Sequence, residues 1–159
     1  MNIQILCVGG LKERYWREAA AEYQKRLSKY CAITVEEVKE SKTKDRPSQA
    51  EADAVKDAEG GALLRRVKKG AYLVALDVGG REFTSEGLAE MLALLPHSGK
   101  SQAAFLIGGS LGLSRQVLES ADLRLSFSKM TFPHQMMRVI LEEQLYRAFK
   151  INGNETYHK

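Results

Sequence analysis

The stretch "AFLIGGSLGLS", residues 104–114, begins as an unbroken apolar run, stops on two glycines and ends on a serine placed to cap a helix. A continuously apolar strand feeding a glycine turn and a capped helix is the repeating unit of a parallel sheet covered on both faces. The turn also raises a question of ligand. A phosphate-binding loop would carry Gly-Lys-Ser/Thr, and a dinucleotide site would space three glycines differently, with an acidic residue further on. Neither pattern is present, so the turn is read as a strand end suited to something other than a polyphosphate.

Working outward, the same alternation fills the chain. Asn2 to Val8 reads as a strand, followed by a helix with Trp16, Ala20, Tyr23, Leu27 and Tyr30 on one face. Ala32 to Val38 alternates at Ile33 and Val35, extending to Glu37. A polar loop from Lys39 to Ser48 precedes a charged helix over roughly Gln49 to Val67, with Ala54, Ala58, Leu63 and Leu64 expected to face inward. Its Gly60–Gly61 pair weakens it and invites a kink. "AYLVALD", 71–77, is a buried strand, and "VGG" is expected to turn the chain toward a helix capped by Thr84 or Ser85 and running to about Leu95. After the opening stretch come a short helix from Ser114 to Ser120 and a last strand, Leu123 to Phe127. Pro133 suits the start of a final helix with Met137, Ile140, Leu141, Leu145 and Ala148 as its apolar stripe. The expectation is an α/β fold, one domain over residues 1–159, with a mostly parallel sheet flanked by helices.

Composition narrows the function without naming it. The chain has 159 residues, and 24 basic against 20 acidic side chains give a net charge of +4. That bias is compatible with a polyanionic partner and does not demand one. Lys39, Lys42, Lys44 and Arg46 form one basic cluster; Arg65, Arg66, Lys68 and Lys69 form another. Either can be a solvated loop or a phosphate-contacting surface. No apolar run is long enough to cross a membrane, and the first residues read as a strand, not a leader. Cys7 and Cys31 have no histidine or cysteine near them in sequence. They are expected to be reduced, buried thiols of a cytoplasmic protein, with no metal site.

Ligands of open parallel sheets gather at the carboxyl ends of the strands. Three such ends share a character here: "LDVGG" (76–80), "IGGSLG" (107–112) and "SFSKMTF" (126–132). Glycines let a ligand approach the backbone, and small hydroxyls between apolar side chains suit a flat heterocycle with a polar tail. Nucleophilic catalysis has no pattern to support it. Of the histidines, His97 lies in a solvated loop, His134 is open to capping or ligand contact, and His158 sits in a short polar tail.

Taken together, "LIGGSLGLS", "LSFSKMTFPHQMMRVILEEQLYRAFKI" and the ending "YHK" resemble the RlmH-type rRNA methyltransferases, small SPOUT-class enzymes. The resemblance spans the chain and is most specific in its last third. It implies a SPOUT fold with a C-terminal trefoil knot, a homodimer, and S-adenosylmethionine as cofactor. It further implies methylation of N3 of a pseudouridine in 23S rRNA, in the helix 69 loop of assembled ribosomes, with no membrane or DNA partner. By position in the family's motifs, Leu76, Gly108, Phe127, Ser128, Lys129, Met130, Thr131 and Phe132 would contact the cofactor. The tail motif maps onto Tyr157 and His158: His158 would be the base or orient it, and Tyr157 would stack on or bond the target base. Arg138 would hold a phosphate or steady the uracil carbonyls. The family's usual proline before its Tyr-His pair is replaced here by Thr156. The competing reading is a non-catalytic α/β module that binds nucleotide or RNA through its basic loops.

Overall fold

A computed structural model describes residues 1–158; Lys159, the last residue of the tail motif, lies outside the described residues. The strands are β1 (Asn2–Val8), β2 (Ala32–Val38), β3 (Tyr72–Glu82), β4 (Gln102–Ile107) and β5 (Leu123–Ser126). The helices are α1 (Arg14–Leu27), α2 (Gln49–Leu64), α3 (Ser85–Leu94), α4 (Arg115–Ser120) and α5 (His134–Asn152). The five strands form one sheet in the order β2-β1-β4-β3-β5, and every neighbouring pair is parallel.

Side-chain alternation sorts the core into two layers. Ile3, Ile5 and Cys7 of β1 point to one face with Val74, Phe105 and Ile107, where α1, α3 and α5 cover them. Leu6 and Val8 point to the other with Ala75, Ala104 and Leu106, under α2 and α4. Both faces of the central strands are therefore buried, which is why β4 reads as a continuous apolar run.

Helix starts follow their caps. Ser48 and Glu51 form a reciprocal capping box at α2. Thr84, not Ser85, caps α3 through the Gly87 N–H, and Ser114 caps α4 through that of Val117.

Three expectations need correction. First, α2 runs unbroken to Leu64, and Ala54 and Ala58 are exposed, whereas Glu59, Gly60 and Leu63 are buried. Gly60 is the contact with α4: a Cβ there would lie 2.3 Å from Ser114 Oγ. The glycine marks close helix packing instead of a kink. Second, "VGG" does not end its strand. Leu76 and Arg81 both pair with Leu125, so residues 77–80 bulge out of the sheet and β3 resumes to Glu82. Gly80 is needed because a Cβ there would sit 2.6 Å from the Arg124 carbonyl oxygen. Third, β5 stops at Ser126, leaving Phe127 in the loop that follows.

Candidate functional site

The bulge of β3, the turn after β4 and the segment after β5 come together at the carboxyl ends of those strands. There they line a half-open cavity of about 490 Å³, with the start of α5 as a further wall. Each wall has a local cause. The turn after β4 folds back on itself: the Gly112 N–H donates to the Gly109 carbonyl at 3.0 Å, and Gly112 takes φ +84°, a conformation glycine adopts without strain. Gly108 must be bare because a Cβ would lie 2.6 Å from the carbonyl carbon of Gly112. The Ser126 hydroxyl, placed between the Val78 and Ser128 carbonyls at 3.1 Å from each, ties the bulge to the segment after β5. The Ser128 hydroxyl in turn accepts from the Met130 N–H at 3.0 Å.

Of the residues expected at a cofactor, Leu76, Gly108, Phe127, Ser128, Met130, Thr131 and Phe132 line this cavity, and Lys129 does not. Gly109 and Gly112 of the same turn line it as well. Sequence reasoning missed Asp77, Pro133 and Met137 and left His134 open between capping and ligand contact; all four form the wall. The signal for the last three was present in "TFPHQMM", where a helix starts directly after a loop already singled out. Among the described residues the lining holds no lysine or arginine, and its acid, Asp77, is bound by the guanidinium of Arg124, with Nε at 3.0 Å. At the seam with the end of β1, His134 Nε2 is shielded from solvent and has no hydrogen-bond partner. Such a lining accepts an apolar or aromatic body with a few polar contacts, which fits a nucleoside thioether or sulfonium and disfavours a polyphosphate.

Arg138, Tyr157 and His158 do not line this cavity. Arg138 is buried one turn into α5, donating to Glu37 Oε1 at 2.6 Å and lying 3.5 Å from Glu142 Oε1. The latter oxygen also accepts from Gln24 Nε2 at 2.9 Å. Burial pushes the Glu142 carboxyl up to about 7, against the opposing pull of Gln24 and Arg138. The guanidinium of Arg138 is thus committed to carboxylates of its own chain.

The tail packs along α5 and against α3. Tyr157 stacks edge-on to Tyr146 at 4.9 Å and donates its hydroxyl to Glu143 Oε1 at 3.1 Å. Burial, with Tyr23 and Glu143 nearby, pushes the phenol up to about 12, so it stays a donor. His158 Nε2 is 2.8 Å from Glu86 Oε1, and its Nδ1 is 3.3 Å from Arg147 Nη1. The anchor Glu143 is about 14 Å along the helix axis from His134 at the cavity wall, by the rise of an α-helix.

An open parallel sheet with a cation-free cavity at its strand ends defines an α/β protein with a candidate ligand site, and comparison with known proteins specifies which family it belongs to. The family model described as "Predicted SPOUT methyltransferase" matches residues 1–158. A relative from Clostridium novyi (strain NT), named ribosomal RNA large subunit methyltransferase H, is 54% identical over 159 residues, with both chains covered completely. A relative of the same name from Bifidobacterium animalis subsp. lactis (strain AD011) is 52% identical, again over the whole of both chains. A solved structure of a probable methylase family protein from Haemophilus influenzae Rd KW20 shares the fold. It aligns at a TM-score of 0.53 and 13% identity, covering 99% of this chain and 70% of that one. The chain belongs to the SPOUT methyltransferases and, within them, to the family of the ribosomal RNA large subunit methyltransferases H. Membership in a family of transferases decides against the non-catalytic module.

Proposed function

We propose that the protein transfers the methyl group of S-adenosylmethionine to N3 of a pseudouridine in 23S rRNA, in the helix 69 loop of assembled ribosomes. It does so as a cytoplasmic homodimer whose single domain carries the C-terminal knot that the family resemblance implies. The observation that carries this reading is the apolar, cation-free cavity of about 490 Å³ built from Leu76, Gly108, Phe127, Ser128, Met130, Thr131 and Phe132. The names of the full-length relatives support the rRNA substrate.

Bound there, the cofactor would supply an electrophilic methyl group on a sulfonium sulfur. The chain's own residues do the rest. Bare backbone at Gly108 and Gly109 admits the ligand closely. Leu76, Phe127 and Phe132 exclude water from the reacting atoms, and the enclosing loops hold the nucleophile in line. The target imide must lose its N3 proton, and His158 is the base that receives it or orients the group that does. Tyr157, held protonated, stacks on the target base or donates to it.

Because a chain's own tail lies along α5, away from its own cavity, Tyr157 and His158 act in this reading on the cavity of the partner subunit. Arg138 enters as a positioning residue that fixes the start of α5, a wall of the cavity, since its guanidinium is taken by Glu37 and Glu142.

The test supplies labelled S-adenosylmethionine with ribosomes lacking the modification and maps the labelled nucleoside. Label on a 23S pseudouridine is expected. Label found only on tRNA or protein would overturn the substrate assignment. A variant lacking residues 157–159 that still methylates at full rate would sink the role of the tail.

A further inference from the structure

The two basic clusters look alike in sequence, yet the fold sends them to opposite ends of the sheet. Lys39, Lys42, Lys44 and Arg46 follow the carboxyl end of β2, beside the carboxyl end of β1. That loop is fastened to the region of the cavity. The Ser41 N–H donates to Glu59 Oε1 at 2.7 Å, and Glu59 is only 4% exposed. A Cβ on Gly109, a cavity residue, would lie 3.2 Å from the other Glu59 oxygen. A Cβ on Gly9 would lie 3.4 Å from Glu40 Oε2 and 3.7 Å from Nε2 of the cavity residue His134. Only the width of one or two side chains separates the loop's anchor points from the cavity wall.

The second cluster follows the end of α2, which has crossed back over the sheet. There Gln4, near the start of β1, donates to the Arg66 carbonyl at 2.9 Å and accepts from the Lys68 N–H at 3.3 Å. Gln4 lies five residues, about 17 Å, before Gly9, so the backbone of this cluster sits toward the other end of the sheet, with only the Arg66 side chain reaching back.

The uncommitted charge on the two sides is matched. In the first cluster Lys44 pairs with Glu51 at 2.7 Å. Glu40 reaches Lys12 at 3.7 Å, which leaves Asp45 as the loop's remaining acid. Lys39, Lys42 and Arg46 are exposed and form no ion pair among the described residues. In the second, Arg66 donates to the Glu37 carbonyl at 2.8 Å and approaches Glu36. Arg65, Lys68 and Lys69 are likewise exposed and unpaired among the described residues.

We infer that Lys39, Lys42 and Arg46 form the contact surface for the phosphates flanking the target nucleotide, and that Arg65, Lys68 and Lys69 take no part. The inference rests on the rRNA methyltransferase reading above. A base held in the cavity brings its neighbouring phosphates to the carboxyl edge of the sheet, where three unpaired cations stand on a loop anchored beside the cavity. The other three cations stand on a turn held at Gln4, further along the sheet from a nucleotide in that position. Phosphate contacts of this kind release counterions and so set the salt dependence of binding without reading sequence.

The experiment compares two triple variants of the full-length protein, Lys39→Gln/Lys42→Gln/Arg46→Gln and Arg65→Gln/Lys68→Gln/Lys69→Gln. It measures binding to large ribosomal subunits and kcat/KM for ribosome methylation at several salt concentrations. Calorimetry with S-adenosylmethionine checks the cavity. The first variant is expected to keep cofactor affinity while kcat/KM falls about tenfold or more at moderate salt, and its log–log salt slope flattens by about two. The second is expected to stay within about twofold of the parent, its charges being away from the phosphates. Equal losses in both variants, or an unchanged slope in the first, would overturn the inference. If the parent protein binds subunits but methylates none, the functional reading falls, and the binding slopes of the two variants still decide this one.

Discussion

The last helix carries two Glu–Arg pairs whose surroundings differ. Near its start, Arg138 and Glu142 are buried, partnered by exposed Glu37 and partly buried Gln24, and one Glu142 oxygen and Arg138 Nε have no hydrogen-bond partner. Two turns on, Arg147 and Glu143 sit in partial contact with solvent beneath Tyr157, the guanidinium 4.8 Å from the ring centroid. The first pair lies in the core near the helix start, where breaking a buried ion pair strands a charge in low dielectric. The second holds the tail, which in the proposed mechanism reaches a substrate, and a partly solvated pair holds it less tightly. Identical chemistry at i, i+4 spacing thus serves rigidity at one end and readiness at the other.

The largest effect should come from breaking the buried pair. Arg138→Ala leaves Glu142 and Glu37 without their cation and is expected to cost about 3–5 kcal/mol in denaturant unfolding. A loss below about 1 kcal/mol would show that water reaches this network and that the contrast is false. Next, His158→Ala should lower single-turnover methylation by about a hundredfold or more, with the unfolding midpoint and cofactor affinity unchanged. A parallel loss of stability would make the tail structural.

A subtler test uses pH. Because burial raises the folded-state Glu142 carboxyl from 4.5 to about 7, the folded state holds this proton more tightly than the unfolded state. The stability it contributes is complete below pH 4.5 and is lost as pH rises toward about 7. Glu142→Gln should remove that decline, which thermal melts across the window would detect. If the variant's stability falls as steeply as the parent's, another group is responsible. Smallest of all, Arg147→Ala should cost about 1 kcal/mol or less, as a partly solvated pair. A cost equal to that of Arg138→Ala would erase the difference between the two ends.

The layered parallel fold was legible because burial on both faces forces apolar runs, and helix starts announce themselves through Ser48, Thr84 and Ser114. The cavity loops were legible for a related reason: glycine pairs and small hydroxyls at strand ends are unusual unless something approaches the backbone. What stayed hidden depends on tertiary contacts. Gly60 reads as a helix weakness and proves to be a packing surface, because the closeness of Ser114 is invisible in a one-dimensional pattern. Residues 77–80 read as a turn, since nothing local shows that Arg81 will pair again with Leu125. The commitment of Arg138 to Glu37, 101 positions away in sequence, was equally unreadable.

The strand order has a consequence in time. β1 lies between β2 and β4, with Asn2 paired to Ala32 on one side and to Gln102 on the other. During synthesis the first strand can meet β2 early but must wait for a further seventy residues before its second edge is covered. Parallel pairings between such distant segments form slowly. Until β4 arrives, an apolar strand edge stands open to other chains. The nascent protein should therefore be most prone to aggregation while residues 39–101 are being added.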